Sequence, residues 1–148
     1  MGLISKSIHK RTTNRLVAPT RVVTTLSSAQ IASIARSVCE AFEPRRGILS
    51  KGERMWFSTS GDDRFVVFYG PPAKSEPDKV TPIWRFDISI VADPSEPGRR
   101  VAALELMTWK TRDGSLVNKA EFEATREMVL DGIRSTDRTA RVLDATSS

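Results

Sequence analysis

The chain predicts a single α+β domain built on a mostly antiparallel sheet, and three observations carry that prediction. The segments "IWRFDISIV" and "VAALELMTW" alternate apolar and polar residues and are joined by "ADPSEPGRR", the pattern of an antiparallel hairpin. "RMWFSTS" and "RFVVFYG" flank "GDD" and read as a second hairpin. Two stretches with apolar residues at helical spacing supply helices to cover one face of the sheet. A chain of 148 residues fits one domain. Its 39% hydrophobic and 28% charged content belongs to a folded chain, not to a disordered one. No apolar run approaches the roughly 20 residues that span a bilayer.

The elements follow in order. Residues 1–20 form a basic N-terminal arm, closed by Pro19. "TRVVTTL" is β-branched and makes a first strand over 21–26. "SSAQIASIARSVCEAF" makes a helix: Ser27 and Gln30 form a capping box, and Leu26 can staple onto Ile31. Ile31, Ile34, Ala35, Val38 and Phe42 share one face, and Pro44 and Gly47 end the helix. The first hairpin comes next, and then "PPAKSEPDKVTP", too rich in proline for helix or central strand.

The second hairpin is the most informative segment. Setting Val91 opposite Val101 pairs Ile90, Ile88, Phe86 and Trp84 with Ala102, Leu104, Leu106 and Thr108. Apolar then meets apolar along one face, which favours that register. The other face pairs Asp87 with Glu105, Arg85 with Met107 and Ile83 with Trp109. A last helix is capped by Asn118 and Glu121 and carries the core stripe Phe122, Val129 and Ile133. The expected organisation is an arm over 1–20, a domain over 21–135 and a polar tail over 136–148.

The resulting order is β-α-β-β-β-β-α, with about five strands and two helices packed on one face. Over residues 20–135 this order resembles a shortened helix-grip architecture, in which a curved sheet wraps a long C-terminal helix. The resemblance rests on element order alone. It implies a binder of an apolar small molecule, lined by Trp84, Phe86, Leu104, Leu106, Phe122 and Val129. The strands fall short of the usual helix-grip number, which argues against a large cavity.

The chemistry-bearing residues exclude more than they suggest. His9 is the only histidine and sits in the arm, whereas a nucleophilic triad needs a histidine held between two partners. One cysteine and one histidine fall short of a zinc ligand set. Cys39 reads as a small buried hydrophobe, and a lone cysteine allows no disulfide within the chain, which suits a reducing cytoplasm. Asp87 and Glu105 are the best carboxylate pair, but Arg85 on the same face turns them into an exposed charge cluster. Asp62 and Asp63 belong to the hairpin turn. The eight glycines form neither a dinucleotide fingerprint nor a P-loop. Trp56, Phe57, Phe68 and Tyr69 read as sheet filling, with a base-stacking platform as the alternative. No catalytic residue, cofactor or metal is expected, and the protein reads as a non-enzyme.

The charge is uneven. Lys6, Lys10, Arg11, Arg15, Arg21 and Arg36 precede the first acid, Glu40, and the remaining 17 bases face 18 acids. An arm rich in Arg and Ser and free of acid also fits a mitochondrial transit segment, and no secretory leader is legible. Such an arm can neutralise phosphates, lie on anionic lipid or dock on a protein. Its bases are interleaved with Ile, Leu, Val and Thr and no aromatic residue, which favours a protein.

The expected function is a non-enzymatic interaction or assembly component that docks on partner subunits or self-associates. The arm would act through Lys6, Lys10, Arg11, Arg15, Leu16, Val17 and Arg21, and a half-apolar sheet face through Ile83, Arg85, Met107 and Trp109. The alternatives are the apolar-ligand binder and a sequence-independent nucleic-acid accessory acting through the arm.

Overall fold

The computed structural model describes residues 18–42, 52–72, 75 and 81–143. It is an α+β domain with a mostly antiparallel sheet and two helices. The elements are β1 (Thr20–Thr24), α1 (Ser28–Ala41), β2 (Arg54–Thr59), β3 (Arg64–Gly70), β4 (Trp84–Ala92), β5 (Arg100–Trp109), β6 (Thr111–Arg112), β7 (Ser115–Leu116), α2 (Lys119–Thr136) and β8 (Arg141–Leu143). The main sheet has six strands in the order β2-β3-β4-β5-β1-β8, and β6-β7 is a separate short ribbon. Residues 141–143, expected in the polar tail, form β8 and pair antiparallel with β1. They satisfy hydrogen-bonding groups that β1 would otherwise present at a sheet edge.

Helix α1 begins as its sequence dictates. Ser27 Oγ accepts the Gln30 N–H at 3.2 Å, and Gln30 Oε1 accepts the Ser27 N–H at 2.9 Å. This reciprocal box satisfies two amides that the first turn cannot pair. Ile31, Ala35, Val38 and Cys39 are buried, while Ile34 and Phe42 pack against the core as half-buried residues.

Helix α2 begins differently from expectation. Asn118 adopts a left-handed conformation (φ 55°) and its side chain makes no capping hydrogen bond. A capping side chain needs extended backbone at that position. Here the chain leaves the β6-β7 ribbon and reverses at Asn118, a residue type that tolerates the left-handed region. The stripe Phe122, Val129 and Ile133 is buried as expected, joined by Leu130 and by Thr125. The Thr125 hydroxyl is satisfied by donating to the Glu121 carbonyl at 2.7 Å.

The register divides the sheet into rows. Facing the helices are Met55–Tyr69–Trp84–Trp109, Phe57–Val67–Phe86–Leu106, Phe65–Ile88–Leu104 and Ile90–Ala102–Val22. Phe122 of α2 closes on these rows edge-on, 5.5 Å from the Trp84 ring and 5.8 Å from Phe86.

The expected β4-β5 pairing holds from Phe86–Leu106 through Val91–Val101 and fails beyond it. A bulge between Arg85 and Phe86 shifts the register, so that Arg85 faces Thr108 and Trp84 faces Trp109. The expected pairs Trp84–Thr108, Arg85–Met107 and Ile83–Trp109 do not form. Met107 is the extra residue. The shift returns Trp109 to the side where it packs, half-buried, on the core, and covering part of an indole is worth more than one ladder bond.

Two close approaches depend on glycine. A Cβ on Gly70 would lie 2.0 Å from the Thr81 carbonyl oxygen, where the chain pairs back onto β3. A Cβ on Gly132 would lie 2.6 Å from Ile34 Cγ2, so α2 meets α1 at a spacing that only glycine permits.

The C-terminus of α2 is tied to β1 by a buried acid. Asp137 Oδ2 accepts the Thr24 hydroxyl and the Thr25 N–H, each at 2.8 Å. Its Oδ1 accepts the Thr139 hydroxyl at 2.6 Å and the Thr139 N–H at 3.0 Å. These donors, Thr139 foremost, hold the carboxyl well below the usual range.

Candidate interaction surface

The second face of the sheet carries the candidate site. Both helices bury their apolar stripes in the core on the opposite side. The register places four rows on this face: Trp56–Phe68–Arg85–Thr108, Ser58–Val66–Asp87–Glu105, Arg64–Ser89–Ala103–Arg21 and Val91–Val101–Val23. Arg54 lies beyond Trp56 on β2, opposite Gly70. Val23, Val66 and Asp87 form a buried floor. Above it Val91 is 60% and Met107 41% exposed, at opposite ends of the β4-β5 pair.

Asp87 is the electrostatic centre. The sequence places it in an exposed charge cluster with Glu105. The structure does set the two opposite each other, but Asp87 is 2% exposed while Glu105 is exposed. Arg85 accounts for the difference. It donates from Nε to Oδ1 at 2.9 Å and from Nη2 to Oδ2 at 3.2 Å, a bidentate fork. From the other side Arg64 Nε lies 3.3 Å from Oδ2. Two long side chains close over the short acid and exclude water, and their charge offsets the cost of burying it. The hydrogen bond to Asp87 raises the Arg85 pKa further above its ordinary value. The Arg85 guanidinium also sits over the Phe68 ring, 5.6 Å from its centroid.

The other expected residues fall as follows. Met107 is exposed at the bulge. Ile83 and Trp109 are half-buried and pack against the core. Arg21 is exposed on β1, at the far end of the Arg64 row. Lys6, Lys10, Arg11, Arg15, Leu16 and Val17 lie outside the described residues, as does His9. Asp62 and Asp63 sit in the β2-β3 turn, where the Asp63 carbonyl accepts the Ile90 N–H at 2.9 Å. Cys39 is buried, and burial above all, with Glu40 adding to it, pushes its thiol up to about 12. Among the described residues no group of three or more His, Cys, Asp or Glu is placed to hold a metal, and no helix is long and apolar enough to cross a membrane.

The six residues expected to line an apolar cavity, Trp84, Phe86, Leu104, Leu106, Phe122 and Val129, are all buried in one core cluster and include the ring contacts described above. A hollow of about 260 Å³ lies elsewhere, between α1 and β2, lined by Arg36, Cys39, Glu40, Met55, Trp56 and Phe57. Arg36 covers the Phe57 ring at 5.1 Å.

Sequence reasoning missed Arg64 and the burial of Asp87. The signal was present: Arg85 and Asp87 share a face at spacing two, and Arg64 starts the strand that the turn lays beside them. No protein-family description matches the chain, and no curated protein matches it.

Proposed function

We propose that the protein is a non-enzymatic interaction module that docks on a protein partner, or on a second copy of itself, through the open face of its sheet. The observation that carries this reading is the composition of that face: Trp56, Phe68, Met107, Val91 and four arginines, Arg21, Arg54, Arg64 and Arg85, with no lysine among the described residues of its rows. Tryptophan, methionine and arginine are enriched at the centres of protein interfaces, and lysine is depleted there. The basic N-terminal segment adds charge to the same partnership. A reducing, cytoplasmic setting suits a single buried thiol.

The test is a photo-reactive residue placed at Val91 in one variant and at Met128 in another, each expressed in the native host. Met128 is 48% exposed on α2 and serves as the control. The reading expects one discrete adduct from Val91 and none of that mass from Met128. Identical adduct patterns from both positions would refute it.

A further inference from the structure

We propose that Arg64 and Arg85, held in place by the buried Asp87, form a fork that receives the carboxylates of an acidic segment of a protein partner. This rests on the docking role of the open sheet face and adds the partner's chemistry.

The geometry supports the fork in three ways. First, Asp87 is engaged on both oxygens: Arg85 donates to each and Arg64 approaches one of them. The acid is buried and fixes two guanidinium groups. Second, each guanidinium has five N–H donors. Arg85 spends one edge on Asp87 and Arg64 turns only its Nε toward it, and the two side chains are 35% and 50% exposed. Among the described residues no other group takes the remaining donors, which can serve a ligand. Third, Phe68 beneath Arg85 restricts that side chain. Ordering is thus achieved before binding, which removes an entropic cost from association.

The charges select the ligand. Arg21, Arg54, Arg64 and Arg85 face Asp87 and Glu105, so the face is net positive and complements an acidic partner. Glu105 stands opposite Asp87 on β5 and repels acid on that side. An incoming carboxylate is steered toward β3, where Arg64 lies. Apolar side chains of the same segment would cover Val91 and Met107. A protein is favoured over single-stranded nucleic acid because Phe68, a ring that would stack a base, is already covered by Arg85.

The experiment titrates the full chain, with nitrogen-15 in its arginines, with a peptide alternating Glu and Leu. The controls are its Gln–Leu counterpart and an oligothymidylate of equal charge. The Nε–H signals are assigned with Arg64→Lys and Arg85→Lys. Saturable shifts of the Arg64 and Arg85 signals with the Glu–Leu peptide alone are expected. Arg64→Gln and Arg85→Gln should each weaken binding about ten- to a hundredfold, the worth of one charge-assisted hydrogen bond.

Asp87→Asn separates positioning from plain electrostatics. Removing a negative charge should tighten an acidic ligand if Asp87 only opposes it, and loosen it if Asp87 holds the fork. Loosening is the expected result, read on a variant whose backbone spectrum stays native. Should that variant not fold, the exposed Arg64→Gln decides. Equal response to the Gln–Leu peptide, no response, or tighter binding of the oligothymidylate at these arginines would overturn the proposal. If Val91 still yields its discrete adduct in that case, docking stands and only the acidic chemistry falls.

Discussion

Replacing Gly132 by Ala tests the close packing of the two helices. In an exposed helix interior this change stabilises by about 1 kcal/mol, because glycine loses more backbone freedom on folding. At Gly132 the new Cβ falls 2.6 Å from Ile34 Cγ2, closer than any real contact. Either Ile34 leaves its position or α2 moves off α1. Overpacking of that kind costs about 1–3 kcal/mol, so Gly132→Ala should destabilise the protein by about 1 kcal/mol net.

Ile34→Ala removes Cγ2 and with it the clash. In that background Gly132→Ala should recover its propensity and stabilise by about 1 kcal/mol, a coupling of about 2 kcal/mol between residues on different helices. Urea unfolding followed through tryptophan fluorescence gives each midpoint, and equal slopes ensure that the midpoints report stability. The reasoning is refuted if Gly132→Ala raises the midpoint by the same amount in both backgrounds.

Two further outcomes follow from the buried titratable groups. The Asp137 carboxyl is lowered in the folded state, so its stabilisation is present above the ordinary carboxylate value of about 4 and is lost as pH falls through the folded value. Asp137→Asn should therefore cost about 2 kcal/mol at neutral pH, with the gap to wild type closing in acid; melting temperatures across pH measure this, and a gap constant with pH would contradict it. The Cys39 thiol is raised to about 12, so it stays protonated when folded. Its contribution is full below the unfolded value of about 8.5 and declines as pH rises toward the folded one. Thiol-reactive dye should label it only after denaturation, and labelling of the native protein at the rate of an unstructured peptide would contradict its burial.

What the sequence shows and hides divides along physical lines. Both helices and the four long strands announce themselves because their periods persist over many residues, and the Ser27–Gln30 box marks one helix start. The bulge does not, since Leu106, Met107, Thr108 and Trp109 read as unbroken alternation. The packing of half-buried Trp109 on the core beside Trp84 breaks it. β8 is three residues long, too short for a pattern, and forms because β1 offers an edge. Asp137, which fixes the chain leading to that strand, looks like one more polar residue after a helix. Asp87 shows the same limit at the candidate site. Its alternation puts it on the outer face, and the pairing with Arg64 and Arg85 that accompanies its burial leaves no periodic signal.

Met107 and Met128 allow the central claim to be tested within one molecule. Both are exposed, at 41% and 48%, one at the bulge beside the open sheet face and the other on α2. Hydroxyl-radical oxidation of the two can be compared in purified protein and in freshly lysed native cells. Docking through the sheet face predicts that Met107 is protected in the native extract while Met128 oxidises equally in both. With the purified protein dilute enough to be monomeric, equal oxidation of Met107 in both samples, or protection confined to Met128, would contradict it.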